Sequence, residues 1–277
     1  MTPVRLLVSD VDGTLVTSGK ALTPGTIAAA GRLRAAGIRL ALTSARPPQG
    51  LELFAGALGL DTPRGAVNGG TITGADGAVL EARFVPEQAA RDAVSFLERN
   101  GIDVWLFVGD QWQVRNPDAH YIALETRTLQ QPPTVVDSFD GLLGRCGKIT
   151  GTTDDHDLLA RLETELAARI GEAANVHRSQ TYYLDVTHPD ANKGHAVGSI
   201  ARLLGVDMRH VAVIGDQAND LAMFDVAGYA IAMGNAPPDV QGRAHDVTRS
   251  NDDEGWAWAV DHLLLPRAPA VHTEGTP

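Results

Sequence analysis

The sequence predicts an α/β fold, a parallel-sheet core interrupted by an inserted α+β layer. Three observations carry this. Short, wholly apolar runs such as Leu6-Leu7-Val8 and Val211-Ala212-Val213-Ile214 read as strands buried on both faces. Helix-like segments separate such runs, in the strand, helix, strand order that builds parallel sheets. Between residues 84 and 187 the pattern changes to helices and paired strands, the mark of a separate layer.

Taken in order, Leu6-Leu7-Val8 is the first strand. Thr23-Pro24 opens a helix, with Thr as N-cap and Pro at the first helical position. That helix runs through Ile27, Ala30 and Leu33, and Gly37 ends it. Residues 38–42 form the next strand. Residues 87–99 form a helix with Ala90, Val94 and Leu97 on one stripe. Residues 104–108 and 112–115 are strands around Gly109-Asp110, a hairpin signal. Residues 158–170 make an amphipathic helix, and residues 182–186 a strand rich in β-formers. The last third returns to the first pattern: helix 194–204 with Gly205 behind it, strand 211–214, short helix 221–226 and strand 229–232. The expected division is a core of residues 1–83 and 188–265, an insert of residues 84–187 and a tail of residues 266–277 rich in Pro, Ala and Thr.

Composition narrows the function. Hydrophobic residues make up 44% and charged residues 21%, enough apolar material for a packed core, so a wholly disordered chain is excluded. Aromatics are only 5%, which leaves the core to Ala, Val, Leu and Ile. With 23 basic and 34 acidic residues the net charge is −11, which argues against a nucleic-acid partner. A phosphate site on such a chain must be made positive locally. Cys146 is the only cysteine, so no intrachain disulfide and no thiolate zinc centre can form. The early apolar run is shorter than a signal peptide's ~7–15 residues or a membrane span's ~20. The expected location is the cytoplasm, with no membrane partner.

Four segments carry chemistry. Asp10-Val11-Asp12-Gly13-Thr14 follows the first strand directly, and ligands of open parallel sheets bind beyond the carboxyl ends of strands. Two carboxylates two residues apart there can meet a metal and a substrate together, although Asp and Gly are also ordinary turn residues. Gly215-Asp216-Gln217-Ala218-Asn219-Asp220 again follows an apolar strand and opens a helix. Asp10 and Asp216 offer the hard oxygens that Mg²⁺ prefers, while an acidic helix start by itself accounts for Asp220. Thr43-Ser44 places hydroxyls at a strand end, where they suit a phosphate oxygen or a helix cap. Lys193, before the helix 194–204, suits a phosphate as a point charge or lies solvated on the surface.

In combination, Asp10-x-Asp12-Gly13-Thr14, Ser44, Lys193 and Gly215-Asp216-x-x-Asn219-Asp220 resemble, in order and placement, the four motifs of the haloacid dehalogenase superfamily. The long insertion between the second and third motifs resembles the caps of its Cof-type phosphatase branch. Val67-Asn68-Gly69-Gly70 and Ala232-Met233-Gly234-Asn235-Ala236 extend the likeness. One departure is Ser44-Ala45-Arg46, where Gly often stands at the middle position; Ala fits if that backbone has ordinary dihedrals.

The resemblance implies a Rossmann-like core with a specificity cap and a phosphomonoesterase that uses Mg²⁺ on a small phosphorylated, sugar-phosphate-like metabolite. It implies Asp10 as nucleophile through an aspartyl-phosphate and Asp12 as general acid and base. Mg²⁺ would be held by Asp10, the Asp12 carbonyl and Asp216, with Asp220 on the metal side. Ser44, Lys193 and Asn219 would bind the phosphoryl group, with Arg46 and Asn68 in reach of the substrate. Four carboxylates against one lysine leave three excess negative charges, so both a divalent cation and a raised Asp12 pKa are expected. On the cap, Trp112, Arg115, Tyr121 and His177 are candidates for substrate contact; core packing or plain surface are their other readings. His188 and His195 flank the third motif and are expected at the surface, and Trp256 and Trp258 pack a final helix. A phosphosugar mutase of the same superfamily, or a phosphate-binding protein without turnover, remains an alternative. The substrate, and whether the chain forms a homo-oligomer, are not readable from the sequence.

Overall fold

The computed structural model of the protein describes residues 2–270. The chain begins with β1 (Leu6–Ser9), α1 (Pro24–Ala35), β2 (Arg39–Leu42) and α2 (Pro48–Leu58). A three-stranded antiparallel flap follows, from β3 (Arg64–Ala66), β4 (Thr71–Thr73) and β5 (Val79–Ala82). Then come α3 (Glu87–Arg99), β6 (Asp103–Val108), β7 (Gln111–Val114), α4 (Ile122–Leu129), β8 (Thr134–Val135), β9 (Lys148–Thr152), α5 (His156–Ile170), β10 (Asn175–Gln180) and β11 (Tyr183–Thr187). The chain closes with α6 (Lys193–Leu204), β12 (Val211–Gly215), α7 (Leu221–Phe224), β13 (Tyr229–Ala232), α8 (Pro238–Gln241), β14 (Asp246–Val247) and α9 (Gly255–Ala259).

The first and last groups share one five-stranded sheet, ordered β14-β13-β12-β1-β2 and parallel throughout. Alternation along β1 sends Leu7 to one face, with Leu33, Leu51 and Trp256, and Leu6 and Val8 to the other, with Val197, Ile200 and Met223. Both faces are therefore covered by helices, which is why the strands read as continuous apolar runs. α1 starts as its sequence demands: Thr23 caps the Thr26 amide at 3.0 Å.

The middle group forms a six-stranded sheet, ordered β10-β11-β9-β6-β7-β8. It is antiparallel except for the β7/β8 pair. Val104 and Leu106 face α3 and α5, where the Ala90, Val94, Leu97 stripe packs against Leu159, Leu162 and Leu166. Trp105 and Phe107 face the other way, with Trp112, Val114, Tyr183 and α4.

The structure adds elements that the sequence reading passes over: α2, the flap, α4, β8, β9, β10, α8 and β14. The final helix is one short α turn, α9, followed by π and 3₁₀ turns, with Trp256 buried in the core. Residues 266 and 267 are not tail-like, because Leu265–Arg267 is a 3₁₀ turn whose Arg267 carbonyl accepts from the Val4 amide at 2.8 Å. Residues 268–270 are irregular, and residues 271–277 of the expected tail lie outside the described residues. Among those described, no helix is long and apolar enough to cross a membrane.

Candidate active site

The four segments meet at the carboxyl edge of the parallel sheet. β1 delivers Asp10, β2 delivers Ser44, β12 delivers Asp216, and the first turn of α6 delivers Lys193. The Lys193 ammonium lies 2.6 Å from Asp10 Oδ1 and 2.5 Å from Asp220 Oδ1, and all three residues are buried. Asp220 Oδ2 accepts from the amides of Asp216 and Gln217 at 2.8 and 2.9 Å. Both of its oxygens are thus taken, and it holds Lys193 and the Asp216 turn together. Asp216 Oδ1 accepts from the Thr14 hydroxyl at 2.8 Å. Gly13 has φ +84°, and a Cβ there would run into the Asp216 carboxylate. This glycine is what lets the first and last motifs touch.

Burial pushes the Asp10 carboxyl well above the usual range; Lys193 opposes this, and Asp220 and Asp216 reinforce it. Asp216 is raised too, by burial and then by Asp220. Burial works against the Lys193 charge, but Asp10 and Asp220 outweigh it and hold its pKa above the ordinary lysine value.

Asp12 overturns one expectation. Its pKa is lowered, not raised, because partners outweigh its burial. Arg46 grips it with Nε at 2.7 Å and Nη2 at 2.8 Å, and Lys20 Nζ adds a contact at 2.7 Å. The expected charge balance counted neither cation. With Arg46 and Lys20 included, the excess of three negative charges falls to one.

Ser44 is buried, and its Oγ accepts the Arg46 amide at 3.2 Å, leaving its proton for another acceptor. Ala45 is not among the residues with positive φ, so it stands where Gly is common without strain. Val67 and Asn68 do have positive φ, 53° and 52°, a strained pair for non-glycine residues. The Val67 amide is tied to the Arg46 carbonyl and the Asn68 amide to the Ser44 carbonyl, each at 2.8 Å. The loop is thereby strapped to the Ser44 segment, and Asn68 is aimed inward. Asn68 Nδ2 lies 2.9 Å from His177 Nε2, and Asn68 Oδ1 accepts from Asn219 Nδ2 at 3.1 Å. Asn219 therefore faces Asn68, and its own Oδ1, though buried, has no partner among the described residues.

Asp10, Asp12, Ser44, Asn68, Lys193 and Asn219 open on one cavity of about 450 Å³, with Asp216 and Asp220 outside its lining; the six-stranded sheet and α4 wall the far side. Of the four cap candidates only His177 lines it. Trp112 is buried, donating its indole N–H to the Gln131 carbonyl; Arg115 pairs with Glu98; Tyr121 stacks on Tyr182 outside the lining. His188 and His195 are also outside it. The sequence reading missed Lys20, Glu125 and Lys148, all on the cavity wall. For Lys148 a signal existed, since a lysine within the strand-like Lys148-Ile149-Thr150 needs a buried partner.

Asp10, Asp216 and Asp220 each offer an oxygen within 4.8 Å of the others. An all-carboxylate, hard-oxygen set of this kind fits Mg²⁺ or Mn²⁺.

The sequence profile of the haloacid dehalogenase-like hydrolases matches residues 7–260. The chain is 28% identical to the pyridoxal phosphate phosphatase of Escherichia coli, covering 94% of this chain and 99% of that protein. It is 29% identical to an Escherichia coli HMP-PP phosphatase, over 86% of each. A haloacid dehalogenase-like hydrolase from Bacteroides thetaiotaomicron superposes with a TM-score of 0.82 at 27% identity, covering 93% of this chain and 98% of that one. A subclass IIB sugar phosphatase of the superfamily shares the fold at TM-score 0.83 and 23% identity, covering 95% of this chain and all of that one.

Proposed function

The chain belongs to the haloacid dehalogenase-like hydrolase family, and from that premise we propose that it is a Mg²⁺-dependent phosphomonoesterase of small phosphorylated metabolites, sugar-phosphate-like in kind. One observation carries this reading. Asp10, bridged by Lys193 to Asp220 behind it, and the separately held Asp12 carboxylate face one cavity at the carboxyl edge of a parallel sheet. The curated relatives act on pyridoxal phosphate and HMP-PP, which supports the substrate class. Residues 1–83 and 188–265 serve as the catalytic core and residues 84–187 as a cap that shields the cavity and selects the leaving group.

Asp10 is the nucleophile. Lys193 anchors its Oδ1 and leaves Oδ2 for attack. The carboxylate oxygen bonds to phosphorus as the bond to the leaving oxygen breaks; Asp12 hands that oxygen a proton, one it takes up from water as the arriving phosphate draws Arg46 and Lys20 off its carboxylate. In the second half a water attacks the aspartyl-phosphate, Asp12 takes the water proton, and the bond to Asp10 breaks to release inorganic phosphate. The Arg46 and Lys20 pairs favour the carboxylate form of Asp12, the form this second half needs. Ser44, Lys193 and Asn219 bind the phosphoryl oxygens, with Arg46 and Asn68 beside the ester.

Asp10, Asp216 and the main-chain carbonyl of Asp12 would hold Mg²⁺, with Asp220 supporting through Lys193 and the Asp216 amide. Bound there, the ion supplies positive charge opposite the phosphoryl oxygens. With that charge added, the single negative excess of the residues would become a single positive one, which suits a phosphate dianion.

The test is phosphate release from sugar phosphates, nucleotides, pyridoxal phosphate and an aryl phosphate, with Mg²⁺ or chelator and with Asp10→Asn as blank. Mg²⁺-dependent release without any bisphosphate primer, lost in the variant, is the expected result. Full turnover after complete chelation would overturn the metal role. No release from any ester would overturn the phosphatase reading.

A further inference from the structure

We propose that Glu125 and Lys148 are specificity residues, a donor–acceptor pair on the cap that reads a hydroxyl group beside the phosphate ester; this rests on the phosphatase reading above. Glu125 stands on α4 and Lys148 on β9, only 6% and 5% exposed. Burying two charged groups this deeply is costly unless partners satisfy them. Here the partners satisfy them only in part.

Glu125 Oε2 accepts from the Tyr183 hydroxyl at 3.2 Å, and that is the one hydrogen bond its carboxylate makes among the described residues. Lys148 Nζ donates to the Ala45 carbonyl at 3.2 Å and lies 4.4 Å from the centre of the Phe107 ring. Asp185, held by the Thr150 hydroxyl, is 3.7 Å from the ammonium, beyond direct hydrogen bonding. Glu125 thus keeps an open acceptor and Lys148 an open donor, and both line the cavity that holds Asp10.

A hydroxyl is the simple group that answers both, donating to one partner and accepting from the other. A second anion fits poorly, because Glu125 and Asp185 flank the lysine. The place of the pair narrows the choice further. Ala45 lies between Ser44 and Arg46, so the lysine sits over the loop that meets the phosphoryl group. Burial raises the Glu125 carboxyl, and the nearby Lys148 and Arg46 charges oppose that. The hydroxyl that is read is therefore one near the ester, not at the far end of the leaving group. Neither residue bonds to Asp10, Asp12 or Lys193, so neither belongs to the phosphoryl machinery.

The experiment compares kcat/KM for glucose 6-phosphate, ribose 5-phosphate and glycerol 2-phosphate with that for p-nitrophenyl phosphate, which lacks a hydroxyl. It uses the wild type, Glu125→Ala, Glu125→Gln and Lys148→Met. The wild type should prefer the hydroxylated esters. Glu125→Ala and Lys148→Met should each lower kcat/KM for the best of them by about 10- to 100-fold, and for p-nitrophenyl phosphate by less than about threefold. Glu125→Gln, nearly isosteric and still an acceptor, should recover part of the loss. Equal losses on both kinds of ester mark a structural role and overturn the pairing. Undiminished activity of Glu125→Gln and Glu125→Ala on every ester does the same. If the wild type with Mg²⁺ cleaves no ester at all, p-nitrophenyl phosphate included, the phosphatase reading itself falls and the inference with it.

Discussion

Arg46 holds Asp12 with two prongs, Nε on Oδ2 at 2.7 Å and Nη2 on Oδ1 at 2.8 Å. The Asp12 carboxylate is thus oriented from beyond the end of a neighbouring strand, with Lys20 of its own loop adding a contact at 2.7 Å. Arg46 in turn lies over the Phe54 ring at 5.2 Å and is almost wholly buried, so the clamp is rigid. Arg46→Lys keeps the charge and loses the fork. It should lower kcat by about tenfold or more with little change in Tm, whereas Asp12→Asn should lower it by roughly 10²–10⁴. Phosphate-release kinetics beside thermal melts check both. Wild-type kcat in Arg46→Lys would show that the clamp does not matter to turnover.

Lys193 is the cation that makes three neighbouring buried carboxylates tolerable. Lys193→Met leaves Asp10, Asp216 and Asp220 facing one another without it. Removing one partner of a buried ion pair costs about 3–5 kcal/mol, which urea unfolding should show, along with loss of phosphate release. The variant should also gain more stability from added Mg²⁺ than the wild type does, because the cation then replaces the missing charge. An equal Tm rise in both proteins would contradict this.

Much of this arrangement was legible in the sequence because it obeys local rules. The strands ending at Ser9, Leu42 and Gly215 are apolar throughout, and helices with recognisable starts, Thr23 before α1 and Asn192 before α6, separate them. Such elements leave their chemistry at the strand ends, which is where Asp10, Ser44 and Asp216 were expected. What escaped was set by distance. Lys20 and Arg46 close on Asp12 from 8 and 34 residues away, and no local spacing encodes that. The direction of the Asp12 shift was misread for this reason alone. Two strands of the six-stranded sheet escape because β9 and β10 read Lys148-Ile149-Thr150-Gly151-Thr152 and Asn175-Val176-His177-Arg178-Ser179-Gln180: β10 and Lys148 of β9 line a polar cavity, and neither strand shows the apolar alternation of one on a dry core.

Gly13→Ala tests the contact between the first and last motifs. The residue needs φ +84°, and the new methyl would enter the space of the Asp216 carboxylate. The left-handed backbone alone costs about 1–2 kcal/mol, and Asp216 must move. Activity should therefore fall by much more than stability does. Gly198→Ala is the control: Gly198 lies inside α6 with nothing within 4 Å of its would-be Cβ. There alanine should raise stability by roughly 0.5–1 kcal/mol and leave kcat alone. Paired melts and phosphate-release assays separate the two cases.

Cys146 is sealed within the cap's apolar cluster, its Sγ donating to the Lys148 carbonyl at 2.9 Å. Burial pushes its thiol from 9.0 up to about 12, so near pH 8 the folded protein holds almost none of the thiolate that reacts. A disulfide reagent should leave the native protein untouched and modify one thiol per chain in concentrated guanidinium. The same shift fixes the sign of an alkaline effect. Between about pH 9 and 12 the unfolded chain has released this proton and the folded chain has kept it. Stability should then fall as pH rises, by up to about 1.4 kcal/mol per unit from this group. Cys146→Ala should flatten that part of the alkaline profile of unfolding free energy; an unchanged slope would show that the thiol stays protonated in both states or in neither.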